Sequence, residues 1–332
     1  MTIKISRRTV LAGAIAAPAI FSISRGAQAA TNLTLGHNAA PGNPRQTATE
    51  KFGELVKERS DGRITVRVAG AEQLGNEQSL LTSLRTGAVD MTVNSQGSSS
   101  ALVPEIAALG LPFLFANSAA AFKVLEGPIG EELGQRFAKV NMVPLGWWDN
   151  GIRHITNSKR PIVVPADLKG LKIRTPPDPM TIDIFQALGA GTEQISFGEL
   201  YIALQQGVVD GQENPLTNIA SSKIFEVNRF ISLSAHKWES SPFLMSQITW
   251  TRLPAADREV IKAAAKEAGD LQRKLFQDAE AKHFADFKAN PKLAINEVDT
   301  AAFREASAKV VDIWRAKPFG DFVDKLAKAA RA

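Results

Sequence analysis

The sequence contains no cysteine, a single tyrosine and only four histidines. Without cysteine there are no disulfides, no thiolate metal sites, no thiol nucleophile and no lipid-anchored cysteine. The histidines are His37, His154, His236 and His283, and none has a metal-binding spacing such as HExxH. No GxSxG nucleophile elbow, Walker phosphate loop or GxGxxG dinucleotide loop occurs. Carboxylate pairs have no local signature, so spacing neither suggests nor rejects a glycosidase. These absences leave no metal or other cofactor to expect and point away from catalysis. Excess positive charge is missing as well. The formal net charge is +5, from 39 bases and 34 acids, but Lys4, Arg7, Arg8 and Arg25 all fall in the first 29 residues, which hold no acid. Discounting them leaves 35 bases against 34 acids, so no nucleic-acid partner is expected.

Those 29 residues have the build of an export signal. A basic start precedes an apolar stretch from Val10 to Ile23, and Ala27-Gln28-Ala29 fits a small-x-small cleavage site before Ala30. The stretch is interrupted by Gly13 and Pro18 and is too short for a comfortable membrane span. Ser6-Arg7-Arg8-Thr9-Val10-Leu11 resembles a twin-arginine signal, with Val10 in place of the usual Phe and Ala12 in place of a frequent Lys. A soluble periplasmic product is expected, because no later apolar run approaches the roughly 18 residues of a spanning helix. Its composition, 44% hydrophobic and 22% charged, is that of a globular chain long enough for two domains.

The first half alternates strand and helix patterns. Leu33–Gly36 reads as a strand, and Phe52, Leu55 and Val56 mark a helix. Ile64–Val68 alternates as a strand, Glu77–Arg85 reads as a helix stopped at Gly87, and Val89–Val93 reads as a strand. The second half repeats this order. A strand region ends at Trp147-Trp148, Arg153–Thr156 is a further strand candidate, and Leu171–Arg174 is a strand stopped by Pro176-Pro177. Helices follow at Thr181–Leu188 and Gly198–Gln206, the second stopped by Gly207. One stretch is written twice. LTSLRTGAVD at 81–90 and YIALQQGVVD at 201–210 share Leu84/Leu204, Gly87/Gly207, Val89/Val209 and Asp90/Asp210, and Asn94 meets Asn214 four residues on. This predicts a helix–turn–strand unit in each of two α/β lobes, with a cleft beyond the carboxyl ends of the strands. Asn94 and Asn214 then stand at strand ends facing the cleft, unless they are ordinary turn residues.

Ala255 to Lys288 has no proline and one glycine, Gly269. As one helix it would be about 50 Å long and could lie across both lobes; the alternative is two helices broken near Gly269. Two further helices are expected at about Thr300–Ala316 and from Gly320. The lobes are expected to comprise residues 30–150 with about 240–275, and 151–239 with about 276–332. Arginines stand out at strand ends. Alternation puts Arg174 on the polar side of its strand with Lys172, and a planar guanidinium in a cleft suits a carboxylate. Arg153 is a second candidate. Each could equally be a solvated surface arginine.

AEQLGNEQSLLTSLRTGAVDM, NGIRHITNSKRPI, DLKGLKIRTP, ISFGELYIALQQGVVDGQENP and EVNRFISLSAHKW occur in that order. Together they resemble the solute-binding proteins of tripartite ATP-independent periplasmic (TRAP) transporters, the DctP family, over essentially the whole chain after the signal. The resemblance implies an α/β, two-lobed periplasmic binding protein fold of type II-like form. Each lobe would be an open, mainly parallel sheet flanked by helices, with crossing strands and a long helix spanning both lobes. It implies a monomer, not an enzyme, that captures a small organic acid anion. The anion passes to a permease of one small and one large membrane subunit, and uptake is driven by an ion gradient. The family's carboxylate-clamping arginine falls on Arg174, its supporting arginine on Arg153, its cleft asparagine on Asn214 and a common aromatic ligand neighbour on Phe197. First-lobe ligand positions fall on Asn38 and on Asn94 or Ser95. Some sialic-acid-binding relatives carry Glu where Ser95 stands, which argues against sialic acid. Trp148 and Trp238 fall where the ligand's other end is often met, with core packing as the alternative. C4-dicarboxylates, sugar acids such as uronates, and hydroxy- or keto-acids all fit one arginine clamp. The rival readings are an exported enzyme and the binding protein of an ATP-driven importer.

Overall fold

The computed structural model describes residues 30–331, so the export segment and its cleavage site lie outside the described residues. The chain runs β1 (Thr31–His37), α1 (Pro44–Arg59), β2 (Ile64–Ala69), α2 (Glu77–Thr86), β3 (Met91–Val93), α3 (Gln96–Ser99), α4 (Ser118–Leu125) and α5 (Pro128–Lys139). It continues through β4 (Met142–Ile152), β5 (His154–Asn157), β6 (Lys172–Thr175), α6 (Pro179–Ala187), β7 (Gly191–Gln194), α7 (Leu200–Gln205), β8 (Gly211–Asn214), α8 (Leu216–Ser221) and β9 (Phe230–Leu233). The last elements are β10 (Trp238–Ser246), α9 (Gln247–Arg252), α10 (Ala255–Ala289), β11 (Ala294–Glu297), α11 (Thr300–Arg315) and α12 (Gly320–Ala329). Two mixed sheets result, ordered β2-β1-β3-β10-β4 and β11-β9-β5-β8-β6-β7. In the first, β1 pairs parallel with β2 and β3; in the second, β6 pairs parallel with β7 and β8. The antiparallel pairs are made by the strands on either side of the crossings, β4, β5 and β10.

The duplicated stretch has one structure in both lobes. Gly87 and Gly207 take φ of 75° and 72°, a left-handed conformation that costs glycine little. Their N–H groups donate to Leu84 O and Leu204 O, and the next residues, Ala88 and Val208, donate to Ser83 O and Ala203 O. This pair of bonds is the Schellman stop, which satisfies carbonyls that the helix end would leave open. The shared aspartates tie the turn to the neighbouring strand. Asp90 accepts the Thr34 N–H at 2.7 Å and Asp210 accepts the Lys172 N–H at 2.9 Å.

The crossing differs from expectation in one respect. Trp147 and Trp148 do not end a strand; they lie in the middle of β4, which continues to Ile152. The chain passes between sheets at Arg153, whose N–H donates to Lys237 O on the returning crossing. α10 is a single helix through Gly269, because the glycine makes room for an indole. A Cβ there would lie 3.0 Å from Trp148 Nε1. α10 packs on α1 and β4 in the first lobe and on α8 in the second. α11 lies against α6, whereas α12 reaches α5 and the 104–110 segment. The last helix thus joins apolar side chains of both lobes, among them Phe137, Ile184, Trp314 and Phe322, into one core.

Gly151 sits at the crossing with φ 90°, and a Cβ on it would meet Phe276 Cε1 of α10 at 2.5 Å. Gly151→Ala is therefore expected to cost about 1–3 kcal/mol and to lower Tm by several degrees in thermal denaturation. An unchanged Tm would show that Phe276 yields freely.

Two carboxylates lie behind this crossing. Burial pushes Asp149 up to about 6 and Glu280 up to about 7. Glu280 accepts the Thr217 N–H at 2.6 Å. Between its ordinary value and about 7 the folded chain keeps the Glu280 proton while the unfolded chain has released it. The stability this group confers is therefore lost as pH rises through that window. Glu280→Gln should raise Tm at pH 8 and leave it nearly unchanged at pH 5. Parallel Tm profiles for variant and wild type would refute this.

Candidate functional site

Between the sheets lies a narrow cavity of about 20 Å³, room for little more than a water molecule. The carboxyl ends of the strands supply much of its wall: Asn38 after β1, Ser95 after β3, Arg174 and Pro176 at β6, and Asn214 closing β8. Asn150, Arg153 and Glu239 enter from the crossing strands, Arg45 and Glu77 from the first turns of α1 and α2, Asn218 from α8, and Phe197 from the loop before α7.

Arg174 is 3% exposed. Among the described residues its only hydrogen bond runs from Nε to Ile195 O at 2.8 Å, and the guanidinium carbon stands 5.9 Å from the Phe197 ring centroid. No carboxylate among the described residues forms an ion pair with it, so its two terminal nitrogens are left to the cavity. Burial lowers its pKa to about 10, the Glu213 carboxylate opposing the fall, so the fork remains charged at neutral pH.

Arg153 is held differently. It donates through Nε and, at 2.6 Å, through Nη2 to the Glu213 carboxylate, through Nη2 to Glu213 O at 2.7 Å, and through Nη1 to Glu239 at 2.8 Å. Nη2 also reaches Asn214 Oδ1 at 3.2 Å. Burial works to lower its pKa, but the Glu213 and Glu239 carboxylates outweigh it and hold it above the ordinary arginine value. Lys237 extends the chain of charges to Asp178 at 2.7 Å and Glu239 at 2.9 Å. Arg153 thus fronts a network the protein has already filled, whereas Arg174 offers an open fork. Asn214 is fixed by Arg153, by Asn218 Nδ2 at 3.2 Å, and by its own donation to Gln212 at 2.5 Å.

Three of the sequence-derived candidates lie elsewhere. Asn94 accepts from the Thr92 hydroxyl at 2.6 Å and donates to Glu77 O at 2.9 Å, buried behind the wall that Ser95 faces. Its equivalence with Asn214 in the duplication is one of backbone position and not of exposure to the cavity. Trp148 packs on Phe243, ring centroids 5.2 Å apart, and on Gly269 of α10. Trp238 stands edge-on to Phe115 and Phe122, and its indole donates to Asp149 at 3.0 Å and Ser118 at 3.1 Å. Alternation along β10 turns Trp238 into the core and Glu239 into the cavity. The other six, Arg174, Arg153, Asn214, Phe197, Asn38 and Ser95, line the cavity.

Several cavity residues escaped sequence reading. Arg45 is 4% exposed and has no carboxylate partner among the described residues. It donates to Asn38 at 2.6 Å, Asn150 at 3.0 Å and Ser241 at 2.5 Å, and its buried Nε has no partner. A signal existed: Asn43 accepts the Arg45 N–H as N-cap and Pro44 opens the helix, which places Arg45 in the first turn after the β1 loop. Glu77 likewise follows the N-cap Asn76, and its carboxylate accepts the Ser95 N–H at 2.5 Å and the Ser95 and Ser98 hydroxyls at 2.7 and 2.6 Å. Asn150 had no local signal. Ser240 pairs with Asp149 and Glu239 with Gly151, which leaves Asn150 as the extra residue of a bulge that aims it into the cavity.

The family model described as DctP, bacterial extracellular solute-binding protein, family 7, matches residues 35–317. An uncharacterized protein, y4mM, of Sinorhizobium fredii is 62% identical over 318 residues, 95% of this chain; the chain spans only 59% of that relative's length. The sugar acid binding protein DctPAm from Advenella mimigardefordensis, solved with galactonate, superimposes with a TM-score of 0.89 at 32% identity, covering 91% of this chain and 98% of the other. A TRAP periplasmic solute binding protein from Polaromonas, bound to D-erythronate, gives a TM-score of 0.86 at 32% identity, covering 90% and 98%.

Proposed function

Since this chain belongs to the DctP family, family 7 of the bacterial extracellular solute-binding proteins, we propose that it captures a small organic acid anion and delivers it to a TRAP permease. It acts in the periplasm as a binding module and not as a catalyst. The observation that carries this reading is the guanidinium fork of Arg174, buried and without a carboxylate partner among the described residues. A buried unpaired charge is costly, and the carboxylate of a ligand relieves that cost through two parallel hydrogen bonds. Arg153 and Asn214 stiffen the adjoining wall. Phe197 supports the guanidinium from the side. First-lobe groups close on the ligand's other end, and Asn43 already meets Asn218 at 2.9 Å and Ser221 at 3.1 Å across the cleft. Closure excludes water and strengthens the ion pair as the effective dielectric falls. The ligand favours the closed form only by its differential affinity for it. The galactonate and D-erythronate of the related structures are both small carboxylates of this kind.

The direct test is a thermal-shift screen of the purified mature chain against organic acids, followed by calorimetry. A stabilised Tm with micromolar or tighter binding of a carboxylate, and no turnover, is the expected result. Silence across sugar acids, dicarboxylates and hydroxy- and keto-acids would count decisively against the reading. Delivery is checked by reconstitution with the small and large membrane subunits, where uptake should need an ion gradient and no ATP.

A further inference from the structure

A second cavity, of about 380 Å³, lies beside the crossing and falls within the size range of small-molecule sites. It shares no lining residue with the cleft. The crossing strand divides its residues between the two: Asn150 and Arg153 line the cleft, whereas Asp149, Gly151 and Ile152 line the second cavity. The first turn of α4 adds Ser118, and α10 adds Phe276 and Glu280.

The charged residues lining it are Asp149 and Glu280, and among the described residues no cation lines it. Arg273 on α10 acts on Asp149 from outside, but its guanidinium is spent on the Glu126 carboxylate and on Trp147 O. Asp149 is 1% exposed. Its Oδ1 accepts the Trp238 indole N–H at 3.0 Å, while its buried Oδ2 makes no hydrogen bond among the described residues. Glu280 accepts the Thr217 N–H at 2.6 Å, and an ionised carboxylate has about four lone-pair sites. Burial pushes both acids up, and the Asp149 charge adds to the rise at Glu280. A cation in this cavity relieves both costs. Oδ2 calls for a donor, which an N–H group supplies and a quaternary ammonium does not. Ile152 and the Phe276 ring give an apolar wall, and an aromatic face also favours a cation. A hard divalent ion fits poorly, since it takes about six or more oxygen ligands and no group of three or more metal-ligating side chains occurs among the described residues.

We propose that this cavity is a second binding site, for a small primary ammonium ion with an apolar tail, whose N–H groups reach Asp149 and Glu280 and whose tail lies on Ile152 and Phe276.

The test is isothermal calorimetry on the mature chain, without organic acid and at constant ionic strength, with 2-phenylethylammonium, benzyltrimethylammonium and 2-phenylethanol. The primary ammonium should bind with a Kd of about 1 mM or tighter at pH 8. The quaternary ion, which has no N–H, and the alcohol, which has no charge, should each bind at least about 10-fold more weakly. Affinity for the primary ammonium should rise about 10-fold from pH 6 to pH 8. Below about 7 the free chain holds the Glu280 proton, which the ammonium must displace. Glu280→Gln should lower the affinity at pH 8 by about 10-fold and remove most of that rise, and circular dichroism checks that the variant is folded. The wild-type comparison of the three probes and the wild-type pH profile require no variant. No binding of the primary ammonium at about 10 mM, equal binding by the quaternary ion or the alcohol, or an unchanged affinity and pH profile in folded Glu280→Gln would each overturn the site. None of these outcomes involves Arg174, so carboxylate capture in the cleft stands or falls separately.

Discussion

Arg174→Ala is expected to reduce affinity for the organic acid by about 10²–10³-fold or more, because truncating one partner of a buried, hydrogen-bonded charge pair costs about 2–5 kcal/mol. Arg174→Lys should recover part of this loss. An ammonium restores the charge but not the planar fork that meets two oxygens together. The fold should not suffer. Among the described residues Arg174 keeps one hydrogen bond, to Ile195 O, and no ion pair, so removing its buried charge should leave the ligand-free Tm equal or higher. Loss of the ligand-induced Tm shift with an undiminished ligand-free Tm separates a binding role from a structural one. Wild-type affinity in the alanine variant, measured by calorimetry, would refute the clamp.

Glu213→Ala should have the opposite profile. Its carboxylate takes two donations from Arg153 and stands 3.3 Å from His236 Nε2. Burial would raise its pKa, but the Arg153 guanidinium outweighs this and holds it well below the usual carboxylate range. Removing it leaves Arg153 buried with Glu239 as its remaining carboxylate, beside the neutral acceptors of the residue 213 carbonyl and Asn214. Breaking a buried pair from one side costs about 3–5 kcal/mol, or roughly 10 °C of Tm in a chain of this size, with no ligand present. Glu213→Gln should fall between, since the amide oxygen still accepts a bond but brings no charge. A ligand-free Tm within a degree of wild type for Glu213→Ala would show that the network is dispensable. The contrast matters for Arg153, whose donors are spent on Glu213 and Glu239; it serves the site chiefly by holding β5, β8 and β10 in register.

Most of the architecture was legible because its causes are local. Gly87 and Gly207 stop helices since each must take positive φ, and that demand is visible one residue at a time. Asn43-Pro44 and Asn76-Glu77 start helices by capping, again within a few residues. Arg174 was conspicuous because an arginine stands near the end of a short alternating strand, one residue short of two prolines. The copied turn revealed two lobes, since Leu, Gly and Asp recur for reasons of backbone stopping and strand attachment.

Partnership across the fold was not legible. Arg153 and Arg174 look alike as arginines that each follow an isoleucine near a strand end, yet one is saturated by Glu213 and Glu239 and the other is open. Those carboxylates are separated from Arg153 by 60 and 86 positions, so no window of sequence contains the difference. Trp148 and Trp238 read equally well as ligand-facing or core residues until α10, through Gly269, and the Phe115–Phe122 pair claim them. Asn150 turns inward only because β4 and β10 pair with a bulge. Strand, stop and cap follow from the torsional and hydrogen-bonding needs of neighbouring residues, which the order of amino acids states outright. Which buried charges are left without a partner depends on how far-separated side chains meet, and that is a property of the packed chain alone.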